Sequence, residues 1–143
     1  MKKILFITGF IFINILSFAQ KNMVAGETKE TIKQDPDQVF TIVEQMPSFP
    51  GGTEAMMKYI RDVLVYPKAD RDNGVSGSCY ITFVVEKDGS ISNVRVLRGI
   101  SGAQACNEEA IRIVNTMPKW IPGKQNGVLV RVQYNIPVKF TLQ

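Results

Sequence analysis

The chain has 143 residues, 45% of them hydrophobic and 21% charged, proportions that fit one folded domain with something small beside it and argue against disorder throughout. Its 17 basic and 13 acidic residues give a formal charge of +4. Two of the lysines belong to the N-terminal signal described next, and no Lys/Arg block exceeds two residues, so nothing points to nucleic acid as a partner. Histidine is absent, which removes His-based acid–base chemistry, Ser/His and Cys/His nucleophile pairs and the commonest zinc ligand.

Residues 1–19 carry Lys2 and Lys3, an apolar run from Ile4 to Phe18, and Ser17 and Ala19 as small residues before Gln20. This is the layout of a secretory signal cleaved after Ala19, and a run of ~15 apolar residues is short for a spanning helix. The rival reading is an uncleaved membrane anchor. Residues 20–38 are polar, carry Gly26 and Pro36, and read as a flexible lead-in. A domain is expected over residues 39–143, starting with a short β-branched run at Val39 to Val43 that suits an extra strand.

Met46 to Gly52 contains two prolines and two glycines and must be a loop. Thr53 then suits the N-cap of a helix whose buried stripe is Met56, Ile60, Val63 and Leu64, and Pro67 ends it. Asp70 to Gly77 reads as a loop. Ser78 to Arg98 is a β-hairpin in which Asp88-Gly89 suits a type I′ turn, setting Glu86 opposite Ile91, Phe83 opposite Val94 and Ile81 opposite Val96.

A small-residue loop, Gly99 to Ala105, leads to a second helix that Asn107 is placed to cap. Glu108 and Glu109 lie in its favourable first turn, and Ala110, Ile113, Val114 and Met117 form its buried stripe. Lys119 to Gly127 is a turn-rich connection around Trp120, which reads as a core plug rather than a ligand platform. From Val128 to Leu142 every even position is apolar, the mark of a half-buried strand, and Pro137 puts that strand at a sheet edge.

The order β, β, α, β with a right-handed crossover gives a two-layer α+β fold: a three-stranded mixed sheet in the order second arm, first arm, last strand, with two helices on one face. A long edge strand exposes unpaired N–H and C=O groups, the requirement for adding a strand from a partner. Edges of this kind also pair with each other, so a homodimer is a second outcome. Cys79 on the inward face and Cys106 near the second helix permit a disulfide in a secreted protein, against the alternative of two buried free thiols.

No catalytic or metal constellation survives inspection, and no cofactor or small-molecule substrate is expected. Asp70, Asp72 and Asn73 lack the spacing of a calcium loop, and Ser76-Gly77-Ser78 lacks the strand-to-helix turn of a nucleophile elbow.

The sequence resembles the C-terminal domain of TonB-like proteins over residues 65–142. The features that carry the resemblance are Tyr66-Pro67 with Ala69, Gly74 and Gly77 before a strand, the turn from Val85 to Ile91, Glu109-Ala110, the run from Met117 to Gly127, and Pro137-Val138-Lys139-Phe140. Glu44 to Gly52 is similar to a lead-in found in one subgroup. The resemblance implies a periplasmic, non-enzymatic module that contacts the TonB box of outer-membrane TonB-dependent receptors by adding that segment to the last strand, in energy-coupled transport or as an accessory to it. The residues implied are Val130, Arg131, Val132, Gln133, Tyr134 and Asn135. A Pro-rich spacer is missing, and so is the histidine through which the family's anchor usually meets its motor. The resemblance therefore supports the binding module better than force transduction. The other readings are a short tethered transducer and an interaction module with an unrelated partner.

Overall fold

A computed structural model describes residues 35–143. The signal expected at 1–19 and residues 20–34 of the lead-in lie outside the described residues. Eight elements follow in chain order: β1 (Val39–Phe40), α1 (Gly52–Val63), α2 (Lys68–Asp72), β2 (Gly77–Val85), β3 (Ile91–Arg98), α3 (Gln104–Asn115), β4 (Gly123–Gln125) and β5 (Val128–Phe140). The sheet runs β1-β5-β2-β3, with β4 paired to β5. The expected order of hairpin and last strand is therefore present, and two short strands extend it.

The helix-facing side of the sheet supplies Cys79, Ile81, Phe83 and Val85 from β2 and Ile136, Val138 and Phe140 from β5. They pack with Met56 and Ile60 of α1 and with Ala110, Ile113 and Val114 of α3. Both helices thus lie on one face, and Trp120 fills the space between layers at 3% exposure. Its ring meets Phe49, Phe83 and Tyr134 edge-on, with centroids 5.8, 5.3 and 5.1 Å away, the arrangement the aromatic quadrupole favours.

The hairpin departs from expectation at its tip. Glu86 N–H donates to the Ser90 carbonyl and Gly89 N–H to the Glu86 carbonyl, 2.8 and 2.9 Å, which makes Lys87, Asp88 and Gly89 a three-residue loop. Gly89 has φ +85° and Asp88 is not in the left-handed region, so a type I turn followed by a left-handed glycine replaces the type I′ turn. Val85, not Glu86, then faces Ile91. A bulge at Asn93, with φ +50°, takes up the extra residue and restores Ile81 opposite Val96. Asparagine tolerates that conformation better than most residues.

Neither helix is capped as the sequence suggests. Gly51, at φ +87°, precedes α1 without a side-chain cap, and Thr53 lies inside the helix. Helix α3 begins at Gln104, so Asn107 is also internal and Glu108 and Glu109 fall beyond the first turn. Asn107 instead clasps the preceding loop: its Oδ1 accepts from Ile100 N–H at 2.9 Å and its Nδ2 donates to the Ile100 carbonyl at 3.2 Å. The free N–H of Cys106 in the first turn of α3 donates to Asp70 Oδ2 at 2.7 Å. That carboxylate comes from α2, a helical turn formed after Pro67 where a loop was expected.

Asn126 and Gly127, with φ +50° and +74°, are the central pair of a two-residue turn joining β4 to β5, with Gln125 opposite Val128. The segment before Pro47 joins the far side of β4, where Gln45 and Lys124 exchange two backbone hydrogen bonds of 3.1 and 2.9 Å.

Candidate functional site

Strand β5 pairs with β2 in unbroken antiparallel register, from Val85 opposite Val132 to Gly77 opposite Phe140. Pro137 lies opposite Tyr80. A residue without an N–H fits a ladder where its backbone faces away from the neighbouring strand. Because backbone direction alternates along a strand, Gln133, Asn135 and Lys139 turn their N–H and C=O groups the same way as Pro137, away from β2. On that side β1 pairs in parallel with Arg131 and Val132 alone. Among the described residues, no strand's register passes Val132 there; because Val132 faces β2, its pairing with Phe40 runs through the Arg131 C=O and the Gln133 N–H, so the edge is open from Asn135 to Phe140.

The six residues singled out from sequence therefore have different surroundings. Val130 and Val132 are buried with Val43 and Phe40 in a small second core. Tyr134 packs inward against Phe83 and Trp120. Gln133 and Asn135 lie on the helix-free face beside the open edge, half-buried and exposed respectively.

Arg131 is engaged within the chain. Its Nε and Nη2 donate to the two Glu86 carboxylate oxygens at 2.7 and 3.0 Å, and its Nη1 to the Asp37 carbonyl at 2.8 Å. The paired guanidinium holds the Glu86 carboxyl below its usual range against the opposing effect of burial, and Ser92 adds a hydrogen bond in the same direction. Glu86 in turn raises the Arg131 guanidinium. This bidentate pair, about three-quarters buried on each side, straps the Asp35–Gln38 turn to the start of β5.

Beside the open edge runs a groove of about 500 Å³ lined by Met57, Ile60 and Arg61 of α1, Leu64 just after it, Ser78 and Tyr80 of β2, and Pro137, Lys139 and Thr141. Its walls come from both layers. The α1 residues belong to the helix layer, whereas Tyr80, Pro137 and Lys139 project from the opposite face of the sheet, so the groove follows the strand edge that separates them. Met57 and Tyr80 are 38% and 40% exposed. Its charged lining, Arg61 and Lys139, is cationic, and among the described residues neither has an ion-pair partner. Sequence reasoning missed this wall. A signal is present, since Met57, Arg61 and Leu64 recur at i, i+4 and i+7, but the sequence places Ile60 and Leu64 in the buried stripe, which leaves no outward wall to infer.

Cys79 and Cys106 are both fully buried free thiols. Burial raises both; Cys106 is pushed up to about 12, with the neighbouring Asp70 carboxylate adding to the effect. A thiol so suppressed is a poor nucleophile or metal ligand at neutral pH. Among the described residues, no cluster of three acidic or cysteine side chains is placed to hold a metal ion.

An α+β domain that leaves its longest strand half unpaired is the class these features define. Residues 62–142, more than half of the chain, match the family described as Gram-negative bacterial TonB protein C-terminal, and the chain belongs to that family. Its members are periplasmic, non-catalytic, transport-associated modules that in general bind TonB-dependent receptors. Similar solved structures include the Helicobacter pylori TonB C-terminal domain, at 20% identity over 63% of this chain and 92% of that one, with a TM-score of 0.49. The Pseudomonas aeruginosa domain is similar at 20% identity over 55% and 80%, with a TM-score of 0.38. No curated protein matches the chain. Among the described residues no helix is long and apolar enough to cross a membrane.

Proposed function

We propose that this chain is a periplasmic receptor-binding module that takes the TonB box of an outer-membrane TonB-dependent receptor as an added strand on β5. The observation that carries this reading is the open edge from Asn135 to Phe140. An edge of six residues, about 20 Å at strand rise, offers an extended segment a row of backbone donors and acceptors. Arg131 and Val132 extend the site only when β1 moves aside. Gln133 and Asn135 supply polar side-chain contacts beside the paired backbone, and Val130, Val132 and Tyr134 support the strand from within.

The test is Asn135→Pro. Proline removes an N–H that faces away from β2 and leaves the ladder to β2 in place. A synthetic peptide of a receptor TonB box should bind the variant at least tenfold more weakly by calorimetry, with circular dichroism unchanged. Equal affinity excludes strand addition at this edge. Export is tested separately, by N-terminal sequencing of the protein from its host. A chain beginning at Gln20 supports cleavage after Ala19, and one retaining Met1 makes the module a tethered one.

A further inference from the structure

We propose that α1 and the helix-free face of the sheet together read the side chains of the added strand, selecting an extended segment of alternating apolar residues with an acidic residue among them. This inference rests on the strand-addition reading and gives the site a selectivity that backbone pairing alone lacks. A strand laid along β5 sends successive side chains to opposite faces. One set would meet Met57, Ile60 and Leu64 in the helix layer, and the other would meet Tyr80, Pro137 and Lys139. Both walls offer apolar surface, and each carries one cation, Arg61 on the first and Lys139 on the second.

Two observations favour a segment of another protein over a second copy of this chain. Pairing two copies edge to edge would bring groove linings of the same sign together, and like charges facing each other across a strand pair are unfavourable. The other is that Arg61 and Lys139 have no ion-pair partner among the described residues. An acidic residue in a partner segment would supply that partner beside the open edge of β5.

The probe is an eight-residue acetylated peptide of alternating valine and threonine, in which each position in turn is replaced by glutamate or by lysine, titrated into the full chain. Glutamate at one or two positions should tighten binding about threefold to tenfold, and lysine at the same positions should weaken it. These shifts should vanish in R61Q/K139Q, the range expected of single charge contacts at a partly exposed interface. Met57→Ser should weaken the uncharged peptide about fivefold while leaving the melting temperature unchanged, since Met57 lies outside the buried core.

Asn135→Pro serves as the arm that reads backbone pairing alone. If the peptides bind, Asn135→Pro abolishes binding, and both the charge scan and Met57→Ser are flat, strand addition stands and the reading groove is overturned. If no peptide binds, or if Asn135→Pro binds normally, both fall. A dimer in sedimentation that excludes the peptide identifies a second copy as the occupant and overturns a partner segment.

Discussion

The backbone N–H of Trp120 donates to the Gly89 carbonyl at 2.8 Å, and a Cβ on Gly89 would lie 2.1 Å from the Trp120 carbonyl oxygen. The tip of the β2–β3 hairpin and the loop that places Trp120 in the core are thus in backbone contact, at a distance that admits no side chain. Gly89 also has φ +85°, so substitution meets backbone strain and a clash together.

Gly89→Ala is therefore expected to destabilise the domain by more than about 2 kcal/mol, since a left-handed alanine alone costs ~1–2 kcal/mol and the Trp120 loop must also shift. Urea unfolding followed by Trp120 fluorescence reads both effects. A loss below about 0.5 kcal/mol would mean that the loop retreats freely and that the contact is not structural.

How far the fold was legible follows from where its determinants lie. The even-position run of β5 and the stripes Met56/Ile60 and Ala110/Ile113/Val114 are local periodicities, and all three elements formed with the expected faces inward. What the sequence did not disclose depends on contacts far apart in the chain. Asp70 satisfies the first turn of α3 from 36 residues away, so Asn107, the best local capping residue, was free to clasp Ile100 instead. The hairpin at Asn126-Gly127 goes unread within the turn-rich connection: Asn-Gly is a strong type I′ signal, but its first strand has only three residues and no alternation of its own. At the candidate site the open edge could be expected from Pro137. The two-residue β1 that covers Arg131 and Val132 could be expected only as a strand of unknown neighbour.

The buried thiols make stability depend on pH in the alkaline range. Cys106 is raised to about 12 in the folded domain, and Cys79 is raised as well, whereas an unfolded cysteine titrates near about 8.5. A folded value above the unfolded one means that the stabilisation is fully present below the unfolded value and is lost as pH rises toward the folded one, because the unfolded chain releases its protons first. The urea midpoint should accordingly fall as pH rises from about 8.5 toward about 12, and fall less steeply in Cys106→Ala. Intact mass should not change on reduction, and both thiols should react with iodoacetamide only after unfolding. A mass gain of two hydrogens on reduction would establish the disulfide instead, and would remove this pH slope.

Arg131 and Glu86 set how much of the β5 edge is open. The Arg131 hydrogen bond to the Asp37 carbonyl holds the turn that delivers Val39 and Phe40 to the strand, and Glu86 orients the guanidinium from the hairpin tip. Because Arg131 depresses the Glu86 pKa, the pair's stabilisation is present above the unfolded carboxyl value of about 4.3 and is lost as pH falls through the lower folded one. Removing the clamp should free β1 while leaving the main core intact, since Phe40 packs only against the small cluster of Val43, Val130 and Val132. In Arg131→Ala the amide of Phe40 should exchange about tenfold faster than in the parent chain, the loss expected for a charge-assisted hydrogen bond, while the amides of Ile81 and Ile113 remain protected. The same variant opens Arg131's position and Val132 to an added strand, so the valine–threonine octapeptide should bind it at least as tightly as it binds the parent. Unchanged exchange at Phe40 would show that apolar packing, not the ion pair, fixes β1. Weaker peptide binding with faster exchange would show that β1, rather than blocking the edge, supports the strand that joins it.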